Sequence, residues 1–502
     1  MRTIITPIAF FIGLSASAQN IVLDPTFGND GFTYVDNTTE ISKFVLNPDG
    51  SIISAGRKAV TGGTKIVLTR HDTFGTLDLS FGTNGISLTN DFNGVELRDL
   101  KLQPDGKILL AGSNYSGVSS GPGGGIPILH AVLIRYHPNG VIDSSFAVNG
   151  IFEVTEYEQS EFNAVLVQND QSLRLISYAD GLTYITKLTS AGILDNSFGT
   201  NGTRAISDLS TFFFFNRGAI ALNDGSILSY GTDDTGFSGP KFIAIKTDAS
   251  GDLITSFGQN GKAAFSINSE SNATEQFNEA QELADGRIVL AGYSDTNSVI
   301  IRLNSDGTPD STFATTGILV HSRPYSDMVV QPTGKILIGG SQEVGQFDMG
   351  LTISRFNADG TTDNSFNTTG AFTCDFSIGF ETLQCMLLTD SDHLLIGGKT
   401  EYIDPYSDFL LAKIDMSESL GLETIQSDQL AVYPNPFSDK VTLSLEDPSI
   451  TNIELTDAMG RSIATYPASK DTILSLEHLN AGIYHLVLTN EQQRISKKLI
   501  KQ

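Results

Sequence analysis

The feature that most constrains this chain is an internal repeat. The pattern Asp-x-Ser/Thr-Phe-x-x-x-Gly recurs seven times, with its Phe at Phe27, Phe81, Phe146, Phe198, Phe257, Phe313 and Phe366, about one copy every 56 residues. The hydroxyl residue before the Phe and the Gly four places after it stand in all seven copies. The leading Asp stands in six, and Ile254 is the exception. A second element is a tight turn followed by an apolar run, as in Pro104-Asp105-Gly106-Lys107-Ile108-Leu109-Leu110-Ala111-Gly112. Asp-Gly between hydrophobic runs signals a hairpin, because Gly accepts the positive φ of a twist-matched turn. A third element is an alternating apolar run ending in a cation: Arg70, Arg135, Lys187, Lys246, Arg302, Arg355 and Lys413. A repeat of this length is one supersecondary unit that buries its apolar faces only against its neighbours.

The spacings separate two classes of connection. From each of the first six cations to the next Phe there are always 11 residues. From Phe to the turn the distance varies from 21 to 29 residues, and from turn to cation from 16 to 29. Each unit reads as four short strands: after the Phe motif, before the turn, after the turn, and up to the cation. The expected fold is all-β, a seven-bladed β-propeller of four-stranded antiparallel blades followed by a small C-terminal β-sandwich. The chain opens with a Phe motif and its last unit ends at a cation strand, so the first segment is expected to complete the seventh blade. In antiparallel order the fixed connections fall on one face and the variable ones on the other, which marks the variable face for binding.

The chain has 502 residues and a formal charge of −26, which disfavours nucleic acid or acidic lipid as partner through long-range repulsion. Residues 1–18 carry Arg2, an apolar run from Ile4 to Leu14, and Ala16-Ser17-Ala18, the pattern of a cleaved signal peptide. The run is too short to span a bilayer, and no later segment is long enough, so no integral membrane segment is expected.

The repeats in residues 21–415 resemble the delta-60 type, found in bacterial secreted proteins and expected to form propellers. That resemblance implies fold and setting but no activity. It is loosest in the third unit, where Gln171 and Ser177 stand in place of Gly. The domain boundaries follow: signal peptide 1–18, propeller 19–415, linker 416–428 and a terminal domain 429–502. The terminal residues hold 8 acids and 7 bases, so nearly all the negative charge belongs to the propeller. Val432-Tyr433-Pro434-Asn435-Pro436, Asp457-Ala458-Met459-Gly460, Leu479-Asn480-Ala481-Gly482-Ile483-Tyr484 and the basic tail Lys497-Lys498-Leu499-Ile500-Lys501 resemble the type A C-terminal sorting domain of the Bacteroidota type IX secretion system. The resemblance implies recognition by the secretion machinery, with Asn435, Pro436, Gly460, Gly482, Tyr484 and Lys498 as signal positions, and a secreted or outer cell-surface location.

The recurring Asp is read as a turn cap and the Phe as filler between sheets. The seven cations either line a channel or pair with carboxylates of their own blades, and pairing is the expectation. Asn304-x-Asp306-Gly307-x-x-Asp310 and Asn357-x-Asp359-Gly360-x-x-Asp363 resemble trimmed calcium loops but lack the bidentate acid. No cofactor is therefore expected, with calcium the alternative. Cys374 and Cys385 would face each other across a hairpin centred on Gly379-Phe380 and could form a disulfide. The scattered His residues show no metal-ligand spacing, and no catalytic residue stands out. Tyr115, Asp233, Asp234, Phe237, Tyr402, Asp404 and Tyr406 lie in or beside the longest insertions and are the candidate ligand contacts. The expected function is a monomeric secreted or surface propeller that binds or scaffolds an unknown extracellular ligand. The alternatives are a propeller hydrolase or lyase with acids converging at the central channel, and a structural surface or matrix component.

Overall fold

The computed structural model describes residues 21–501 apart from 36–39, 61–62, 90–93, 120–124, 207–213, 234–240, 269–273, 346–347, 377–378, 403–406, 418–429, 446–451, 458–461, 468, 470 and 490–493. The signal-peptide region lies outside the described residues. Asn20–Ser417 forms one compact unit, and Glu418–Gln502 belongs to a second.

Among the described residues, every regular element of the first unit is a strand. The strands pair antiparallel in seven groups of four. The first comprises Glu40–Leu46, Ile52–Val60, Gly63–His71 and Ile86–Leu88, and the next five repeat that order. The seventh joins Gly379–Leu388, His393–Tyr402 and Ser407–Asp415 to a fourth strand from the start of the chain, Phe32–Val35. Phe32 lies opposite Ala412 and Val35 opposite Phe409, while Val22 and Leu23 pair with Asp415 and Ile414. A single parallel bridge, Met349 to Phe380, links the sixth and seventh sheets. The innermost strands neighbour one another in sequence order, and the last, Gly379–Leu388, packs beside the first, Glu40–Leu46. The ring expected from the motif order is thus closed as expected, by the opening segment.

Continuous apolar runs such as Ile108-Leu109-Leu110-Ala111 arise because each sheet is covered on both faces. Leu110 faces Ile53, Ile66 and Leu68 of the first sheet, while Leu109 faces Val165, Leu173 and Leu175 of the third. Seven such inter-sheet cores run around the described ring, each holding one motif Phe; Phe27 fills the one between the last and first sheets. Burying a Phe side chain this fully stabilises by about 3–5 kcal/mol relative to Ala.

The motif Asp does what its place before a hydroxyl residue suggests. Asp78 Oδ1 accepts from Ser80 N at 2.9 Å and Ser80 Oγ at 2.6 Å, and the other five copies repeat the turn. Its second oxygen takes the cation: Arg135 Nε lies 2.9 Å from Asp143, Arg302 Nε 2.8 Å from Asp310, and Lys413 Nζ 3.0 Å from Asp24 across the closure. In the fourth sheet, where Ile254 replaces the Asp, Lys246 reaches Asp224 at 2.8 Å instead. Several of these cations also cover the motif ring, as Arg135 does over Phe146 at 4.3 Å. Pairing, not channel lining, is the role of the repeated cation.

Six inner strands carry a one-residue bulge at the same place, where the extra residue is Ser42, Arg98, Asn163, Arg217, Asn278 or Gln384. A bulge re-aims the side chain it carries. It also brings the inner-strand carbonyl against the second strand. A Cβ on Gly56, Gly112, Gly231, Gly292 or Gly398 would overlap the carbonyl oxygen of Glu40, Glu96, Phe215, Gln276 or Thr382. The glycine closing each apolar run is therefore set by the inner strand rather than by a turn. In the third sheet Ser177 fills that place opposite Phe162, and Gln171 takes the turn glycine's positive φ, at 62°. Gly112→Ala is expected to lower stability by about 1–3 kcal/mol, read as a fall in the urea midpoint. An unchanged midpoint would show that the bulge tolerates a Cβ.

The second unit has two sheets. Leu430–Tyr433, Lys440–Leu445 and Asp471–Ser475 form one; Asn452–Asp457, Ser462–Pro467, Gly482–Thr489 and Arg494–Lys501 form the other. Val441, Leu443, Ile453, Leu455, Leu486, Leu488 and Leu499 share one core, as in the expected sandwich.

Candidate functional site

Residues at one position of each inner strand form a ring at one end of the central channel: Ser42, Arg98, Asn163, Arg217, Asn278, Ser326 and Gln384. Ser326 needs no bulge, since it stands just before the strand Asp327–Val330 and donates its N–H to Gly339 O at 2.7 Å. The next residue of each strand forms a deeper ring of Lys43, Asp99, Ala164, Gly218, Glu279, Asp327 and Cys385. The outer ring opens into a cavity of about 320 Å³ and the inner ring into one of about 610 Å³. The two share Lys43, Arg98, Arg217, Asn278, Glu279 and Asp327, so they are continuous. Glu40 and Glu96 put the mouth at the starting end of the inner strands, the end reached by the long connections.

The two rings differ chemically. In the deeper one the carboxylates act as latches between sheets. Asp99 Oδ1 accepts from Leu100 N at 2.9 Å and Oδ2 from Val165 N of the next sheet at 2.9 Å. Asp327 repeats this with Met328 N at 2.8 Å and Met386 N at 2.6 Å. Among the described residues Glu279 accepts only from Ala280 N, at 3.4 Å. Burial raises the Glu279 carboxyl well above the usual carboxylate range; Lys43 opposes the rise and Asp327 adds to it. Burial works against the charge on Lys43, but Glu279, Asp327 and Asp99 outweigh it and keep the ammonium protonated.

At the mouth, Arg57 Nη2 lies 2.6 Å from Glu40 Oε1, and Arg98 bridges Glu161 at 2.7 Å and Glu96 at 3.0 Å. Arg217 is exposed and makes no hydrogen bond or ion pair among the described residues. Desolvation and then the Arg98 guanidinium hold its pKa below the ordinary arginine value, against the opposing pull of Glu161 and Glu96. Leu97 is the single apolar side chain lining the mouth among the described residues.

The candidate contacts chosen from insertion length fall elsewhere. Tyr115 sits on Ile108–Val118 and is exposed. Asp233 and Tyr402 end the strands Ile227–Asp233 and His393–Tyr402. Asp234, Phe237, Asp404 and Tyr406 lie outside the described residues. None of the mouth residues was singled out in the sequence. The signal that would have found them is a polar residue breaking an apolar strand at a fixed distance before each turn.

The two cysteines are a correction. Both are free. Cys374 ends Ala371–Cys374, which among the described residues pairs with Asp348–Phe356 in the sixth sheet, while Cys385 lies in the inner strand of the seventh paired with His393–Tyr402, so the two are not on paired strands. Burial pushes the Cys374 thiol up to about 12. At the calcium-like loops, Asp306 Oδ1 and Asp359 Oδ1 accept from Thr308 N and Thr361 N, each at 2.9 Å, and Asp310 and Asp363 pair with Arg302 and Arg355. Asp348, Asp375 and Glu381 bring one carboxylate oxygen each within 4.8 Å of one another, away from those loops.

In the terminal unit, Asn435 Oδ1 accepts Ile500 N at 2.9 Å, Phe437 N donates to Ile500 O at 2.9 Å, and Lys501 Nζ covers the Phe437 ring at 5.4 Å. The peptide bonds before Pro434 and Pro436 are cis. The Tyr-Pro-Asn-Pro segment therefore fastens the basic last strand. Gly482 opens the strand that pairs with it, Lys498 lies opposite His485, and Tyr484 Oη donates to Asn480 O at 2.9 Å. Gly460 lies outside the described residues. No helix among the described residues is long and apolar enough to cross a membrane.

Residues 431–502 match the family described as secretion system C-terminal sorting domain. Residues 283–313 and 331–366 match the family described as a domain of unknown function (DUF5122) beta-propeller. No curated protein matches the chain. Among solved structures, a protein of unknown function from Dyadobacter fermentans is similar at 12% identity over 77% of this chain and 100% of its own, with a TM-score of 0.45. Prolyl oligopeptidase B from Galerina marginata is similar at 12% identity over 77% of this chain and 48% of its own, with a TM-score of 0.37. A subtype N11 neuraminidase-like protein of A/flat-faced bat/Peru/033/2010 (H18N11) is similar at 11% identity over 79% of this chain and 97% of its own, with a TM-score of 0.35. The sorting domain indicates interaction with the secretion machinery, export, and an outer-surface or secreted location. The chain is a β-propeller protein that carries a type IX secretion C-terminal sorting domain.

Proposed function

We propose that this exported propeller is a binding protein whose ligand seats at the mouth of the central channel, on the face of the long connections. The observation that carries the reading is the outer ring: six of its seven positions put a polar side chain into the mouth, and the seventh, Asn163, lines the cavity beneath it. A volume of about 320 Å³ suits a small-molecule or chain-end ligand. Of the insertion residues Tyr115, Asp233, Asp234, Phe237, Tyr402, Asp404 and Tyr406, we propose Tyr115, whose backbone N–H donates to Gly94 O just before the second inner strand, as an outward extension of the same face. The test is to probe the full exported chain with panels of extracellular glycans and peptides, and to compare Gln384→Ala and Asn278→Ala with Lys107→Ala on the short-turn face. The mouth variants are expected to weaken capture and Lys107→Ala to leave it unchanged; the reverse pattern refutes the site.

A hydrolase or lyase is the second reading, supported by Glu279 with its raised pKa beside Lys43. Asp99 and Asp327 count against it, since each carboxylate is already held by two backbone N–H groups. Depolymerisation of a bound glycan that is lost in Glu279→Gln while binding persists would establish catalysis.

A further inference from the structure

We propose that the ligand at the channel mouth is a saccharide bearing a single carboxylate, and that Arg217 receives that carboxylate. This rests on the mouth being the binding site and adds the chemical class of what binds there. Of the three arginines at the mouth, Arg57 is engaged by Glu40 and Arg98 by Glu96 and Glu161, while Arg217 has no anionic partner among the described residues. It also stands in the field of Arg98, whose repulsion exceeds the attraction of Glu161 and of Glu96, and a bound anion would relieve it. A guanidinium presents two parallel N–H groups that match the geometry of a carboxylate.

The surrounding charge limits how much anion the site accepts. Glu40 and Glu96 at the rim are met by Arg57 and Arg98, and Glu279 and Asp327 at the floor by Lys43, within a chain of net charge −26, so Arg217 is the cation left over among the described residues of the mouth. A second anionic group on the ligand would face these acids with no further unpaired cation among the described residues of the mouth to receive it; one carboxylate placed at Arg217 would not. The other groups at the mouth are neutral and polar. Ser42, Ser326 and Gln384 make no side-chain hydrogen bond to protein among the described residues, and Asn278 accepts only from Gln276, which leaves its own N–H donors available. Amides and hydroxyls arranged around one cation suit the hydroxyl groups of a sugar ring. A peptide would need apolar pockets for its side chains at the mouth itself, where Leu97 is the one apolar lining residue among the described residues; Phe44, Leu100, Ile220 and Met328 line only the deeper cavity.

The probe is an oligosaccharide ending in one galacturonic acid, with its methyl ester as the neutral twin, titrated calorimetrically into the full chain. The acid is expected to bind roughly tenfold or more tightly than the ester. Arg217→Ala should erase that preference and Arg217→Lys should keep part of it. Because Arg217 is exposed, both variants should keep the parent's thermal midpoint, which is checked alongside. Equal affinity for acid and ester, or an acid preference that survives Arg217→Ala, overturns the proposal. If Gln384→Ala still weakens binding in that case, only the ligand class falls and the site stands. Binding of neither probe overturns the proposal, as does capture at this mouth of a peptide through its terminal carboxylate in preference to the sugar.

Discussion

A chain lacking residues 19–35 loses the cooperative unfolding transition of the propeller. Those residues supply the outer strand of the seventh sheet, Phe32–Val35, the closing pair of Asp24 with Lys413, and Phe27, which fills the core between the seventh and first sheets beside Val35, Ile41, Phe44, Leu395 and Leu411. Removing Phe27 alone is worth about 3–5 kcal/mol, against a total stability on the order of 5–15 kcal/mol for a cooperative domain. The deletion also bares the edge of Ser407–Asp415, whose unpaired N–H and C=O groups invite association with other chains. Urea titration followed by circular dichroism, with light scattering for aggregation, reads the effect. A peptide of residues 19–35 added in trans should restore part of the transition. If the truncated chain instead melts as the parent does, the closing segment carries no stability and the ring is held by its other interfaces.

How far the sequence discloses this architecture can be argued from particular residues. The motif Phe, the cation 11 residues before it and the capping Asp stand at fixed distances because all three meet on the short-connection face, where one loop geometry is reused. Even the exception obeys the physics: with Ile254 in the Asp position, Lys246 turns to Asp224. The channel mouth is harder to read because its residues differ from sheet to sheet while their position does not. Ser42, Arg98, Asn163, Arg217, Asn278, Ser326 and Gln384 each stand 8 residues before the turn position, at Gly50, Gly106, Gln171, Gly225, Gly286, Gly334 and Asp392. The sequence shows the spacing, but only the bulge turns those side chains into the channel, and bulges leave no residue signature on their own strand. Their trace is the glycine of the facing strand, which reads as part of an apolar run. The cysteines mislead for a related reason. They are close in sequence, but the boundary between two sheets runs between them.

The acid stability of the protein is set by the repeated carboxylates, and Asp363 is where this is most cleanly tested. Its Oδ2 lies 2.7 Å from Arg355 Nε and 2.8 Å from Lys335 Nζ, and its Oδ1 accepts Ser365 N at 3.1 Å and Ser365 Oγ at 2.6 Å. Burial alone would raise this carboxyl. The hydrogen bonds from Lys335 and Ser365 and the charges of Arg355 and Lys335 outweigh it and hold the pKa at about 2, and Asp24 is held at about 2 by Thr26 and Lys413. With the folded pKa below the unfolded value of 3.8, the unfolded chain binds more protons between those two limits, so stability rises with pH across that window. The contribution is complete above pH 4 or so and is lost as pH falls through about 2. The parent chain should therefore unfold cooperatively on acidification within that interval. Asp363→Asn should cost about 3–5 kcal/mol at neutral pH, because it leaves Arg355 buried opposite a neutral amide, and its cost should shrink by about 2 kcal/mol as pH falls through about 2, where the parent carboxyl takes up its own proton. Replacing both partners, Asp363→Asn with Arg355→Met, should recover part of the loss. Urea midpoints measured from pH 2 to pH 7 decide the matter: a penalty for Asp363→Asn that is the same at both ends would mean that the carboxylate serves as a turn cap alone and that its pairing with Arg355 adds nothing to the fold.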